Sequence, residues 1–149
     1  MRHTKLGAAL AGLATAAVVA TTAQPANAAA LYYTESSTRC LTAGYACAWY
    51  DQYGNGTATA FYDDAWDWSA IPSPYRNINN QSSSWESHGT STYGNVRFFN
   101  YAGGTGANKC LKKGYAQTTS DGMDNLVSAN VWVSTCSGYT QFSYQIRIW

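Results

Sequence analysis

Asn79-Asn80-Gln81-Ser82-Ser83-Ser84 and Asp124-Asn125-Leu126-Val127-Ser128-Ala129 are two polar clusters of one form. Each follows an aromatic strand end that runs into glycines. Trp49-Tyr50-Asp51-Gln52-Tyr53-Gly54-Asn55-Gly56 precedes the first, and Phe98-Phe99-Asn100-Tyr101-Ala102-Gly103-Gly104 precedes the second. Trp49 to Asn79 is 30 positions and Phe98 to Asp124 is 26, so the chain resembles itself. Two units of about 40 residues, each of four short strands, would make two Greek keys packed as a sandwich.

The flanking sequence agrees with strands. In Phe142-Ser143-Tyr144-Gln145-Ile146-Arg147-Ile148 the residues Phe142, Tyr144, Ile146 and Ile148 alternate and are expected on one face. Thr57 to Tyr62, Asn95 to Asn100 and Asn130 to Ser134 read as strands too. Turn signals separate them at 53–56, 102–106 and Asp121-Gly122. No stretch after Ala28 holds a helical period for three turns. Only 11% of residues are charged and 15% are aromatic, which excludes a charge-driven disordered chain and disfavours a helical bundle.

The first 28 residues read as a secretory signal. Arg2, His3 and Lys5 make a basic start, Leu6 to Ala23 is apolar, and Ala26-Asn27-Ala28 has the form of a cleavage site. The apolar run is short and Ala-rich for a membrane span, and no basic stop-transfer flank follows. Removal of 28 residues from 149 would leave 121, with seven basic against eight acidic side chains, a net charge of −1. A secreted, extracellular protein is therefore expected, with no membrane partner. Lys109-Cys110-Leu111-Lys112-Lys113 is the one basic run, too little for a nucleic-acid partner. A monomer is expected.

Secretion implies an oxidising compartment, and Cys40, Cys47, Cys110 and Cys136 all follow the signal. An even count implies two disulfides, for which three pairings are possible. The pairing Cys40–Cys47 with Cys110–Cys136, one local staple and one longer loop, is favoured here. A metal–thiolate site lacks the CxxC spacing it would need.

The clusters and their hairpins resemble the βγ-crystallin family, whose units carry an aromatic-then-Gly hairpin and the pattern [N/D]-[N/D]-x-x-[S/T]-S. The first cluster matches all four fixed positions and the second matches three, with Ala129 in place of the last Ser. The resemblance covers about Cys47 to Thr135. It implies an all-β, βγ-crystallin-like sandwich in residues 29–149, with Greek key 1 at about 46–90, Greek key 2 at about 94–135 and an extra C-terminal strand at 139–149. It also implies Ca²⁺ held by Asn79, the Gln81 carbonyl and Ser83, and by Asp124, the Leu126 carbonyl and Ser128. Asp124 alone brings formal charge, so weak binding is expected, of order 10⁻⁴–10⁻³ M. The plainer reading is that these Asn and Ser side chains cap turns.

A narrower likeness joins the signal, a cysteine staple at the first strand and a cysteine in the second unit's first hairpin. Together these resemble secreted bacterial metalloproteinase inhibitors. That resemblance implies inhibition of a thermolysin-like extracellular metalloprotease, with Cys110–Leu111 as the reactive bond and Leu111 filling an apolar pocket. This chain departs from the pattern, since no cysteine follows Cys110 until Cys136. On the alternative reading Cys110 is a structural disulfide partner and Leu111 an ordinary core residue.

No enzyme is expected. His88 is the one histidine after the signal, reads as solvated, and no G-x-S-x-G elbow accompanies it. Asp63-Asp64-Ala65-Trp66-Asp67-Trp68 sets carboxylates beside tryptophans. It reads as a glycosidase-like pair, as a sugar platform without chemistry, or as a loop whose Trp66 and Trp68 plug the core. Ile71-Pro72-Ser73-Pro74 reads as an extended connector. Three functions follow from these readings: protease inhibitor, non-inhibitory Ca²⁺-binding structural module, and a cell-wall or carbohydrate-binding or toxin-like protein on the same scaffold.

Overall fold

The computed structural model describes residues 32–35, 39–72, 78–90, 93–119 and 121–148. The signal segment and the Ser73-Pro74 part of the connector lie outside them. The described strands are β1 (Tyr32–Glu35), β2 (Ala46–Trp49), β3 (Ala58–Phe61), β4 (Ser84–Ser87), β5 (Asn95–Tyr101), β6 (Thr105–Leu111), β7 (Tyr115–Gln117), β8 (Ala129–Val133) and β9 (Gln145–Arg147). They form two antiparallel sheets, ordered β1-β3-β2-β4-β7-β9 and β6-β5-β8. The all-β expectation holds.

The two repeats do not pair within themselves alone. Strands β2, β3 and β4 of the first repeat lie in the larger sheet, which also holds β7 of the second, in register Trp85↔Gln117 and Ser87↔Tyr115. The smaller sheet holds β5, β6 and β8. Ala65 of the first repeat reaches it through reciprocal bonds, its N–H to the Asn130 carbonyl at 2.9 Å and the Asn130 N–H back at 2.8 Å. Each repeat therefore lends its third element to the other's sheet. The first repeat's loan is one bridge, because Asp64 and Asp67 turn the chain on either side of it. Asp64 Oδ1 accepts the Trp132 N–H at 2.7 Å, and Asp67 Oδ1 caps a short 3-10 turn through the Ser69 N–H at 2.8 Å.

The core lies between the sheets. Phe61 and Trp68 stack with centroids 4.7 Å apart, and Trp85 stacks on Phe142 at 5.1 Å. Phe98 joins the two pairs, 6.2 Å from Trp68 and 6.1 Å from Trp85. Their polar edges are satisfied by small residues: Trp68 Nε1–H donates to Asn130 Oδ1 at 2.9 Å and Trp85 Nε1–H to Ser82 Oγ at 3.0 Å. All four residues of β2 are buried. Ala46 and Ala48 face this core, while Cys47 and Trp49 join a second cluster with Cys40, Ala58 and Ala60. A continuous apolar run is what a strand covered on both sides requires.

Both favoured disulfides are present, Cys40–Cys47 and Cys110–Cys136, with Cα separations of 5.7 and 5.6 Å. Their presence excludes a metal–thiolate site and fits an oxidising compartment. Among the described residues no helix is long and apolar enough to cross a membrane.

The tail departs from the expected alternation. Phe142 is buried, but Tyr144 is 67% exposed and Ile146 50% exposed. The chain bends at Ser143-Tyr144 because side chains take its backbone donors. Asp121 accepts both the N–H and the hydroxyl of Ser143, at 2.6 and 2.9 Å, and Gln117 Oε1 accepts the Tyr144 N–H at 3.2 Å. Strand β9 thus starts at Gln145 and pairs with β7.

Asp121 also pairs with Lys109, whose Nζ lies 2.9 Å from Oδ2. Partial burial by itself would raise the Asp121 carboxyl, but the Ser143 and Lys109 hydrogen bonds and the Lys109 charge outweigh it and hold it below the usual range. A depressed folded-state value stabilises above the unfolded value, and that stabilisation is lost as pH falls through the folded one. The stability advantage of the native chain over Asp121→Asn is therefore expected at neutral pH and should shrink below about pH 4. Urea melts of both proteins at several pH values would show it; a difference that does not vary with pH would contradict it.

Candidate functional site

The two polar clusters meet. The Asn80 N–H donates to the Val127 carbonyl and the Asn125 N–H to the Ser82 carbonyl, both at 2.9 Å. Each cluster thus bonds the other through the same position, as a pseudo-twofold pair. Their local shapes agree as well. Asn80 and Asn125 have φ of 53° and 54°, in the left-handed region that Asn tolerates better than most side chains. In each, the third residue closes a turn on the residue before the cluster: Gln81 N–H to Ile78 at 3.0 Å and Leu126 N–H to Met123 at 3.1 Å. Ile78 and Met123 are buried and anchor the turns.

The donors fall into two layers. Gln81 and Leu126 are exposed, whereas Ser83 and Ser128 are buried. The backbone fixes the serines: the Ser83 N–H bonds the Trp49 carbonyl at 2.9 Å and the Ser128 N–H the Phe99 carbonyl at 2.8 Å. Trp49 and Phe99 close the aromatic strand ends of the two repeats, so each hairpin positions its own cluster. Ser128 Oγ donates to Asn80 Oδ1 at 2.9 Å, which leaves the Ser128 lone pairs available to a cation. Asp124 Oδ1 is shut off from solvent and accepts no hydrogen bond from the described residues. A buried carboxylate oxygen without a donor suits a cation.

The donor set is carboxylate, amide, hydroxyl and main-chain carbonyl oxygen, the hard ligands that Ca²⁺ takes. Among the described residues no three His, Cys, Asp or Glu side chains are placed to hold a metal. An oxygen cluster of Asn, Ser and one Asp does not depend on such a grouping. The second positions, Asn80 and Asn125, were absent from the expected ligand set. Their part is conformational, and the signal for it is Asn itself at a position needing positive φ.

Among solved structures, one from work on the evolution of the eye-lens βγ-crystallin domain fold superposes on 70% of this chain and 99% of its own length, with a TM-score of 0.58 at 11% identity. The chain has a βγ-crystallin-like fold. A βγ-crystallin from an archaeon matches at 18% identity over 61% of this chain and 99% of its own, with a TM-score of 0.47. One from Ciona intestinalis matches at 17% over 60% and 99%, also at 0.47. No protein-family model matches the chain, and no curated protein matches it.

Within this βγ-crystallin-like frame Cys110–Leu111 does not form a presented bond. Both residues end β6, pair with Arg97 and Val96 of β5, and are fully buried. Leu111 belongs to the main core. The Cys110 N–H bonds the Thr140 carbonyl at 2.8 Å, and Cys110 is tied to Cys136, so the 136–142 segment covers the strand edge. A protease would have to unpair β6 to reach this bond. The inhibitor resemblance places this bond in an exposed hairpin; in this chain it lies in a core strand, as on the alternative reading of Cys110 and Leu111.

His88 differs from expectation too. It is 4% exposed rather than solvated, and its Nε2 lies 3.2 Å from Glu86 Oε2. The two tryptophans of the acidic loop part company: Trp68 is fully buried and Trp66 is 38% exposed. Burial pushes the Asp64 carboxyl up, the nearby Asp63 charge adds to this, and the Trp132 N–H opposes it.

Proposed function

We propose that this protein is a Ca²⁺-binding structural module of βγ-crystallin type. The observation that carries the reading is the reciprocal pairing of two clusters in one local shape, with a buried Asp124 oxygen that accepts no hydrogen bond. Asn79, the Gln81 carbonyl and Ser83, with Asp124, the Leu126 carbonyl and Ser128, would hold the cation. One formal charge among these donors favours binding of order 10⁻⁴–10⁻³ M, the range of extracellular modules. Both disulfides suit that compartment, and secretion through residues 1–28 belongs to the same proposal.

Calorimetric titration with CaCl₂ tests it. Heat is expected in that concentration range, and at tenfold excess over Kd the fold should gain about 1.4 kcal/mol. Ser83→Arg should remove part of the heat. Absence of heat, together with an unchanged melting temperature at millimolar Ca²⁺, would overturn the proposal.

Metalloprotease inhibition, the other expectation, now has only the scaffold in its support, because its assigned bond is inside a core strand.

A further inference from the structure

Trp66 stands apart from the other described tryptophans. Trp49, Trp68 and Trp85 are buried and Trp132 is half-buried, while Trp66 is 38% exposed. Its backbone is nonetheless anchored on both sides. The Trp66 carbonyl accepts the Gly103 N–H at 2.6 Å; Ala65 before it makes the bridge to Asn130, and the Trp68 N–H after it bonds the Ser128 carbonyl at 2.8 Å. The ring rests on the β5–β6 hairpin at Gly104. A Cβ there would lie 2.6 Å from Cζ3 and 3.0 Å from Cε3, and Gly104 has φ of +67°, so any other residue would displace the ring. Tyr101, 62% exposed, lies on the same hairpin, where the position of a Cβ on Gly106 falls 2.5 Å from its ring.

The sequence on either side of the ring is acidic. Asp63 is exposed, Asp64 and Asp67 flank the ring in sequence, and no Lys or Arg occurs from Cys40 to Pro72. A rigid indole with the exposed Tyr101 on the same hairpin, and with acidic sequence on both sides of it, fits a flat amphipathic ligand.

We propose that Trp66 is a stacking platform for the pyranose ring of an uncharged or amino-bearing glycan. The C–H face of the sugar would lie on the indole, with Asp63 as acceptor for a hydroxyl or ammonium group. Because the backbone on both sides of Trp66 is bonded, ordering the site costs little on binding. Acidic glycans are disfavoured by the three aspartates. None of the site's residues is among those proposed to hold the cation, and the titration reads the Trp66 ring itself.

The experiment is calorimetry with three hexasaccharides, of N-acetylglucosamine, glucosamine and galacturonate, together with NMR of the indole N–H signals. At least one of the first two should bind with a Kd of about 1 mM or tighter, and Trp66→Ala should weaken it about tenfold. The Trp66 indole signal, assigned by its loss in Trp66→Phe, should shift in the native protein. Asp63→Asn should weaken the glucosamine oligomer more than the acetylated one if the ammonium is recognised. The proposal is overturned if neither of the first two binds, if galacturonate binds best, or if Trp66→Ala leaves the affinity unchanged. Should Trp66→Ala not fold, the native titration decides: a shift at other indoles and not at Trp66 overturns the proposal.

Discussion

Trp68→Ala is expected to lower the stability of the fold by about 4 kcal/mol, the range of a buried Trp truncated in a core. Trp68 is fully buried, stacks on Phe61 at 4.7 Å and meets Phe98 edge-on at 6.2 Å. Removing the indole opens a cavity at the centre of the aromatic row. It also strands Asn130 Oδ1, which accepts the Trp68 Nε1–H at 2.9 Å and lies in a fully buried residue of β8. The effect should reach both sheets, because Trp68 follows the Ala65 bridge and Asn130 is its other end. Trp68→Phe should cost less, since it keeps most of the stacking and loses the hydrogen bond. Urea unfolding followed by circular dichroism measures both; a loss below about 1 kcal/mol for Trp68→Ala would show that the row repacks without it.

Removing the Cys110–Cys136 disulfide should cost about 3.5 kcal/mol, against about 2.4 kcal/mol for Cys40–Cys47, from loop closure over separations of 26 and 7 residues. Structure reinforces the order. Cys110–Cys136 secures the segment that brings Phe142 against Trp85, and the Phe142 N–H bonds the Cys110 carbonyl at 3.3 Å. Cys40–Cys47 closes only the smaller cluster on the outer face of the large sheet. Replacing each pair by alanines and comparing denaturation midpoints gives the ranking, and the reverse order would show that the outer cluster contributes more than its size suggests.

Much of this was legible from residue order. Asn95 to Asn100 reads as a strand and is met by β5, and the glycine-rich stretch at 102–106 marked the β5–β6 turn. Strand β1 went unread, because Tyr32–Glu35 is a short edge strand with no turn signal before it, visible only through its pairing with β3. The tail was misread for the opposite reason. Its alternation is real in the sequence, but Asp121 and Gln117, distant along the chain, take the backbone donors that a longer strand would need. Leu111 was ambiguous on its own, since a leucine between lysines is equally a loop tip and a strand end.

Local chemistry was enough for the all-β class, the repeat and the form of the two clusters, because each depends on residues close in sequence or on spacing alone; the cysteine count implied two disulfides and left three pairings open. Asn stands at the second position of each cluster, a residue that tolerates the left-handed backbone found there. Three things required distant segments to meet. These are the exchange of third elements between the repeats, the mutual bonding of Asn80 with Val127 and Asn125 with Ser82, and the division of Trp66 from Trp68 into one exposed and one buried ring. A side chain's burial and a backbone group's partner belong to whatever packs against them. For this chain, that is the other repeat.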